Sequence, residues 1–424
     1  MARPATGGGE EADMSRRTLA AVLVVLVLAF AAGEPTWAQK PIKIGFMVGL
    51  TGLAPQVGKD MVDGFKMYLD EHGNQMAGRK VELIVEDNQG RPEVAVNKLR
   101  KFVESDNVDM VVGEAFAHIA LALAPKANDY QIPYVIPVAA SDDLTQRQRV
   151  KWAVRTGWTS SQPSHPFGEW VAKNLKYKRV ATIAADYAFG WEVVGGFQRT
   201  FEESGGQVVQ KLWVPLNVAD WAPYLSQIRR DADAVFALAV AAAQLRFPKQ
   251  YEDAGLKGRL PLIGGAVTFD ESALPRMGDE AIGGISPLMY SAALDTLAMR
   301  EWVKVYKAKF GKVPSYYSET CYTTARWIET AAKAVGGKVE DREAFLTALK
   351  KVELPDALRG PIKLDAYGNP LQNIYIRKVE KKNGELQNTV VFTYPAVSQF
   401  WKWNPEEYLK QPAYTRDYPP CKYC

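Results

Sequence analysis

The amino-acid pattern predicts an α/β protein built from two parallel-sheet lobes. Three observations carry this. Short apolar runs alternate with segments of helical periodicity from residue 42 onward. The runs are apolar at consecutive positions, as strands buried on both faces are, and a parallel sheet covered by helices on each side buries them that way. The whole alternation then restarts near residue 180, and 424 residues are too many for one ordinary core.

The elements follow in order. Ile42–Val48 reads as a strand ended by Gly49. Val57, Met61, Gly64, Phe65 and Tyr68 recur at helical spacing, and Gly73 ends that helix. Val81–Val85 is a second strand, Pro92 opens a second helix, and Val108–Val112 is a third strand. Ile119, Leu123 and Ala127 mark a helix, and Tyr134–Val138 a fourth strand. In the second half, strands are expected at Val180–Ala184, Val208–Trp213, Ala234–Leu238 and Leu262–Gly264, with helices around 192–204, 221–229 and 241–254. Residues 296–351 return to helices, and strands at Ile362–Leu364, Ile374–Val379 and Val390–Thr393 close the pattern. Residues 394–424 hold eight aromatics and five prolines and read as an extended tail on the surface.

The N-terminus reads as a targeting segment. Arg16 and Arg17 precede Leu19–Ala32, 14 almost wholly apolar residues. Spanning a bilayer takes about 20. Gly33 to Pro35 break the run, and Thr36-Trp37-Ala38 offers small residues for cleavage after Ala38. Residues 1–38 are therefore expected to be a signal peptide, and the mature chain to begin at Gln39 in the periplasm.

Composition excludes several classes. Hydrophobic residues at 47% and charged residues at 24% argue against disorder and against a polytopic membrane protein. A net charge of +4 over this length gives no reason to expect nucleic-acid binding. Three histidines and three cysteines exclude a histidine-rich metal site and a disulfide framework. Met47 stands where a dinucleotide fingerprint needs its first glycine, and five residues separate Gly52 from Gly58 where a P-loop needs four. No nucleophile elbow or zinc-protease motif occurs, so neither catalysis nor a cofactor is expected. Cys421 and Cys424 would form a local disulfide or link to a partner.

An ordered set of short motifs is more informative than any one of them. It begins with Ile44-Gly45-Phe46, Gly49-Leu50-Thr51-Gly52, Gly58 and Val85-Glu86-Asp87-Asn88. It continues through Val108 to Gly113, Ser141-Asp142-Asp143-Leu144-Thr145, Asp186 to Gly190 and Ala232 to Phe236. Together these resemble the periplasmic substrate-binding proteins of branched-chain amino-acid-type ABC transporters, from residue 42 to about 380. The resemblance implies a type I periplasmic binding protein: two Rossmann-like lobes joined by a three-crossing hinge. Lobe 1 would be 41–157 plus 287–355, and lobe 2 would be 158–286 plus 356–393. A small-molecule ligand would sit between the lobes, at loops leaving strand ends, and the partners would be ABC permease subunits of the inner membrane. A ligand sensor of the same fold and a secreted enzyme are the competing readings, and adjacent permease genes would favour transport over sensing.

The departures from that family concern the ligand. Amino-acid binders carry Gly-Pro-x-x-Ser after the third strand, and the serine holds the ligand carboxylate. Here Gly113-Glu114-Ala115-Phe116-Ala117 puts a methyl group at that position. Ala140, followed by Ser141, stands where a second hydroxyl is usual. Ala266, Val267 and Thr268 follow Gly264-Gly265 where an acidic residue usually meets the ammonium. A buried ammonium without its carboxylate costs about 3 kcal/mol or more. A pocket of Phe116, Ala117, Ala139, Ala140, Phe189, Val240, Ala266 and Val267 would therefore suit an apolar or aromatic molecule with at most one polar end. His118 either supplies a replacement donor or caps its helix. Ser160-Ser161-Gln162, Trp158 and Tyr290 either touch ligand or pack the hinge.

Overall fold

The computed structural model describes residues 1–2 and 40–424. The expected leader lies outside the described residues, its first two positions aside. Among the described residues no helix is long and apolar enough to cross a membrane.

Ile42–Cys424 holds two sheets. The first has the strand order β2-β3-β1-β4-β5-β6. Here β1 is Ile42–Val48, β2 Gln75–Met76, β3 Arg79–Asp87, β4 Met110–Val112, β5 Tyr134–Ile136 and β6 Ala153–Arg155. All pairings are parallel except that of the short β2 with β3. Every residue of β4 and β5 is buried, as consecutive apolar positions require. The helices Pro55–Glu71 and Tyr316–Ala334 pack closely together. Gly64 permits this approach, because a Cβ there would lie 2.0 Å from the Ser318 carbonyl oxygen.

The second sheet starts with β7 (Arg179–Ala185), β8 (Gln207–Val214), β9 (Ala234–Leu238) and β10 (Leu262–Gly264). It adds β11 (Ile285–Leu288), β12 (Glu353–Leu354), β13 (Ile362–Leu364), β14 (Pro370–Lys382) and β15 (Glu385–Val397). The order is β12-β13-β14-β11-β10-β9-β7-β8, with β15 on β14. Strands β7 to β11 run parallel, and β14 pairs antiparallel with both β11 and β15. The chain leaves this sheet later than the expected boundary at 286, because β11 stays paired through Leu288 with Tyr375. It returns before 356, because Leu354 already pairs with Ile362.

Two expectations need correction. The helix expected over 221–229 shrinks to Ala222–Leu225. The Ser226 hydroxyl and the Gln227 amide both donate to the Pro223 carbonyl, so side chains occupy the acceptor that a longer helix would use. The segment 394–424 is not simply extended. After β15 it forms the helix Pro405–Lys410, capped by the Asn404 side chain, and it buries Phe400, Tyr408 and Tyr414. The Arg199 guanidinium sits 3.6 Å from the centre of the Trp403 ring, and His165 Nε2 lies 3.1 Å from Tyr414 Oη. Aromatics that read as surface residues have a second, small core of their own. Cys421 and Cys424 form a disulfide, and Cys321 is buried and free.

Where the segments joining the two sheets meet, they form a buried polar seam. Arg359 Nη1 pairs with Glu319 at 2.7 Å, both side chains fully buried. The same guanidinium donates to the Thr156 carbonyl at 2.8 Å and to Gln372 Oε1 at 3.1 Å. Gln372 in turn donates to the Gly157 carbonyl, and Gln162 to the carbonyls of Pro370 and Val397. Arg377 donates to Tyr290 and Ala266 carbonyls.

Candidate functional site

A cleft opens beside this seam. From the first-sheet side it is lined by the start of the helix Pro55–Glu71, at Ala54 and Val57. The start of Ala117–Asp129 adds Phe116 and Ala117, and the loop after β5 adds Val138 and Ala140. The start of Tyr316–Ala334 contributes Tyr316 and Tyr317. From the second-sheet side come Tyr187 and Phe189 at the start of Ala188–Glu203, with Val240, Ala241 and Val267 on loops after strands. Trp158, in the segment joining the two sheets, forms part of the wall.

Two features define the chemistry. Among the described residues no charged side chain lines the cleft. Four helices begin on it, and none of their capping residues, Ala54, Phe116, Tyr187 and Ser315, makes a side-chain cap hydrogen bond. The first amides of a helix have no intrahelical acceptor and carry the positive end of its dipole. Asp270 Oδ2 accepts the Tyr316 amide at 3.4 Å, so it is the other three helix starts that leave backbone donors for a ligand, a setting that favours a small anion.

The walls are aromatic. Trp158 meets Phe189 edge to face at 5.6 Å between centroids and Tyr316 at 5.8 Å. Tyr316 and Tyr317 lie 3.9 Å apart. Burial raises the Tyr187 and Tyr316 phenols well above the ordinary tyrosine value, so both stay protonated and can donate. Among the described residues the buried Trp158 Nε1 has no hydrogen-bond partner.

Six of the ten residues expected from sequence line the cleft: Phe116, Ala117, Ala140, Phe189, Val240 and Val267. The other four do not. Ala139 is fully buried, with its amide donating to the Glu114 carbonyl at 2.8 Å. Ser141 turns its hydroxyl to Glu192 Oε1 at 2.9 Å. Ala266 is fully buried, and its carbonyl accepts from Arg377. His118 lies one position past the lining, its ring 5.8 Å from Phe116 and 6.2 Å from Tyr187. Burial lowers its pKa, so the ring is neutral at neutral pH.

The residues left open are also placed. Ser160 donates to the Ala140 carbonyl at 2.8 Å, and the Ser161 amide to Asp142 Oδ1 at 3.1 Å. These, like Gln162, knit the seam. Tyr290 is fully buried and donates to the Pro314 carbonyl. Tyr187, Tyr316 and Tyr317 were not singled out from sequence. Tyr187 sits in a recognised motif beside Phe189, a usable signal. Tyr316 and Tyr317 had only the serine before a periodic helix to mark them.

A cleft lined from both sheets, beside the segments that join them, is the arrangement of a ligand-binding protein. Comparison with known proteins places it further. The family described as periplasmic binding protein matches residues 41–385, and the chain belongs to it. A solved ABC-transporter solute-binding protein from Rhodopseudomonas palustris BisB5, in complex with 3,4-dihydroxybenzoic acid, is 34% identical with a TM-score of 0.81. That match covers 85% of this chain and 98% of the other. A second, from Rhodopseudomonas palustris HaA2 in complex with p-hydroxybenzoic acid, is 28% identical with a TM-score of 0.80, covering 85% and 99%. Leu/Ile/Val-binding protein homolog 6 of Brucella melitensis biotype 1 is 28% identical over 389 residues, covering 90% of this chain and 97% of that protein.

Proposed function

We propose that the protein captures a small aromatic carboxylic acid in the periplasm and delivers it to ABC permease subunits in the inner membrane. The observation that carries this is a cleft with aromatic walls, helix N-termini and, among the described residues, no charged side chain in its lining. A free amino acid would bury its ammonium there with no carboxylate to meet it, at a cost of several kcal/mol. An aromatic acid asks only for a slot between rings and donors for one carboxylate. The benzoate-type ligands of the two Rhodopseudomonas proteins support the same chemistry. Because both sheets contribute to the lining, ligand would favour the state in which the two sides meet.

The test is calorimetry with benzoate, 4-hydroxybenzoate, 3,4-dihydroxybenzoate and leucine. At least one aromatic acid should bind far more tightly than leucine. A sub-micromolar leucine complex, with no heat from the acids, would overturn the reading. Small-angle scattering should show compaction at saturation, provided the unliganded protein is open.

A further inference from the structure

We propose that Glu114 is the positioning residue of the cleft: its buried carboxylate ties the loop carrying Phe116 and Ala117 to the loops on either side. The inference rests on the ligand reading above. The side chain is fully buried. Its Oε1 accepts from the amides of Ala115 at 2.6 Å and Phe116 at 3.1 Å. Its Oε2 accepts from Asn88 Nδ2, and Asn88 Oδ1 accepts the Gly90 amide at 2.9 Å. Its carbonyl accepts the Ala139 amide at 2.8 Å. One residue therefore joins the loops leaving β3, β4 and β5 at the carboxyl edge of the first sheet, reaching across β1, which lies between β3 and β4.

Two consequences bear on ligand. Phe116 lies near Gly90, where an added Cβ would come 4.0 Å from Phe116 Cε2, so the tether brings the loop after β3 up to the aromatic wall. The amides of Ala115 and Phe116 are committed to Glu114, while those of Ile119 and Ala120 bond the Phe116 carbonyl. The first two helical amides, of Ala117 and His118, are the ones this helix offers to an anion. Glu114 thus sets both the wall and the donor pair. Among the described residues no cation pairs with it, and burial raises its carboxyl to about 7. A carboxylate kept in such a place is held by the three donors aimed at it.

Three variants of the full chain test the proposal: Glu114→Ala, Glu114→Gln, and the double variant Asn88→Asp/Glu114→Gln. The double variant exchanges donor and acceptor across the tether and leaves an oxygen for the Gly90 amide. Two quantities are read: amide hydrogen exchange at residues 115 and 116 without ligand, and the benzoate Kd. Glu114→Ala should speed exchange at both amides and weaken benzoate about tenfold or more. Glu114→Gln should fall between, because its amide group meets the Asn88 amide donor to donor. The double variant should return to within about threefold of the original Kd. If Glu114→Ala does not fold, the other two carry the test. The proposal falls if Glu114→Gln keeps the original exchange and Kd, or if the double variant binds benzoate no better than Glu114→Gln. Should the unaltered protein bind none of the aromatic acids, the ligand reading fails, and exchange alone decides whether Glu114 holds the loop.

Discussion

The cleft and the seam beside it are built from similar material and treat polar atoms oppositely. Both lie where segments leave the strands, and both are largely buried. In the seam, Arg359, Glu319, Gln372 and Gln162 bond one another and the backbone of the joining segments. In the cleft, the helix starts at Ala54, Phe116 and Tyr187 have no side-chain cap from those residues, and among the described residues the Trp158 indole has no partner. Buried polar groups cost free energy unless paired. The seam's ion pair and side-chain hydrogen bonds tie the joining segments together, and the cleft keeps fewer such bonds.

The largest expected effect breaks the seam. Glu319→Ala leaves the Arg359 guanidinium buried without its partner, which should cost roughly 3–5 kcal/mol of stability. Urea denaturation with unchanged m-value and a lowered midpoint would show it. An unaltered midpoint would mean the seam is not structural.

Next, Phe189→Asp places an unpaired carboxylate in the cleft wall, against an anionic ligand. Binding of the aromatic acid should weaken by about 2 kcal/mol, roughly thirtyfold in Kd, with the unliganded fold retained. Unfolding of the unliganded protein would instead assign Phe189 to the core.

A smaller effect sharpens the contrast at the C-terminal segment. Burial holds the His165 imidazole well below the usual histidine range, with the Arg199 charge adding to this. A depressed histidine pKa means the folded state resists protonation. Its contribution is fully present above the ordinary value of about 6.5 and is lost as pH falls below it, by up to about 1.4 kcal/mol per pH unit. Buried Glu114 and Asp270, raised to about 7, act in the opposite sense over the range above their ordinary values. The measurement is therefore a difference: stability of the protein minus that of His165→Gln, between pH 7 and 5. That difference should shrink on acidification, and a flat difference would remove His165 from the account.

The smallest effect concerns Ala117, where a serine would add a hydroxyl to the cleft. Ala117→Ser should move leucine and benzoate affinities by about 1 kcal/mol at most, because among the described residues no acidic side chain lines the cleft to meet an ammonium. Ala266→Glu would not complete an amino-acid site, since Ala266 is buried behind the lining against Arg377.

The strands and most helices were legible because their cause is local. Consecutive apolar residues such as Met110–Val112 can be buried only between two helical layers, and helical periodicity is a property of neighbouring residues. The methyl group in place of a ligand-holding hydroxyl was legible at Ala117 for the same reason, since the motif around it is short. What the chain could not announce is which loop residues face one another. Val267 lines the cleft and Ala266 does not, though they are adjacent, and that depends on the backbone turn after β10. Tyr316 and Tyr317 join Phe116 and Phe189 across more than a hundred residues of sequence, through helix packing that Gly64 permits. The aromatics after residue 394 read as exposed because their partners, His165 and Arg199, lie more than two hundred residues earlier. Sequence alone determined the α/β pattern and the methyl group of Ala117 at the start of its helix. Tertiary structure decided which donors stay unpaired, because pairing depends on distance in space and not on separation along the chain.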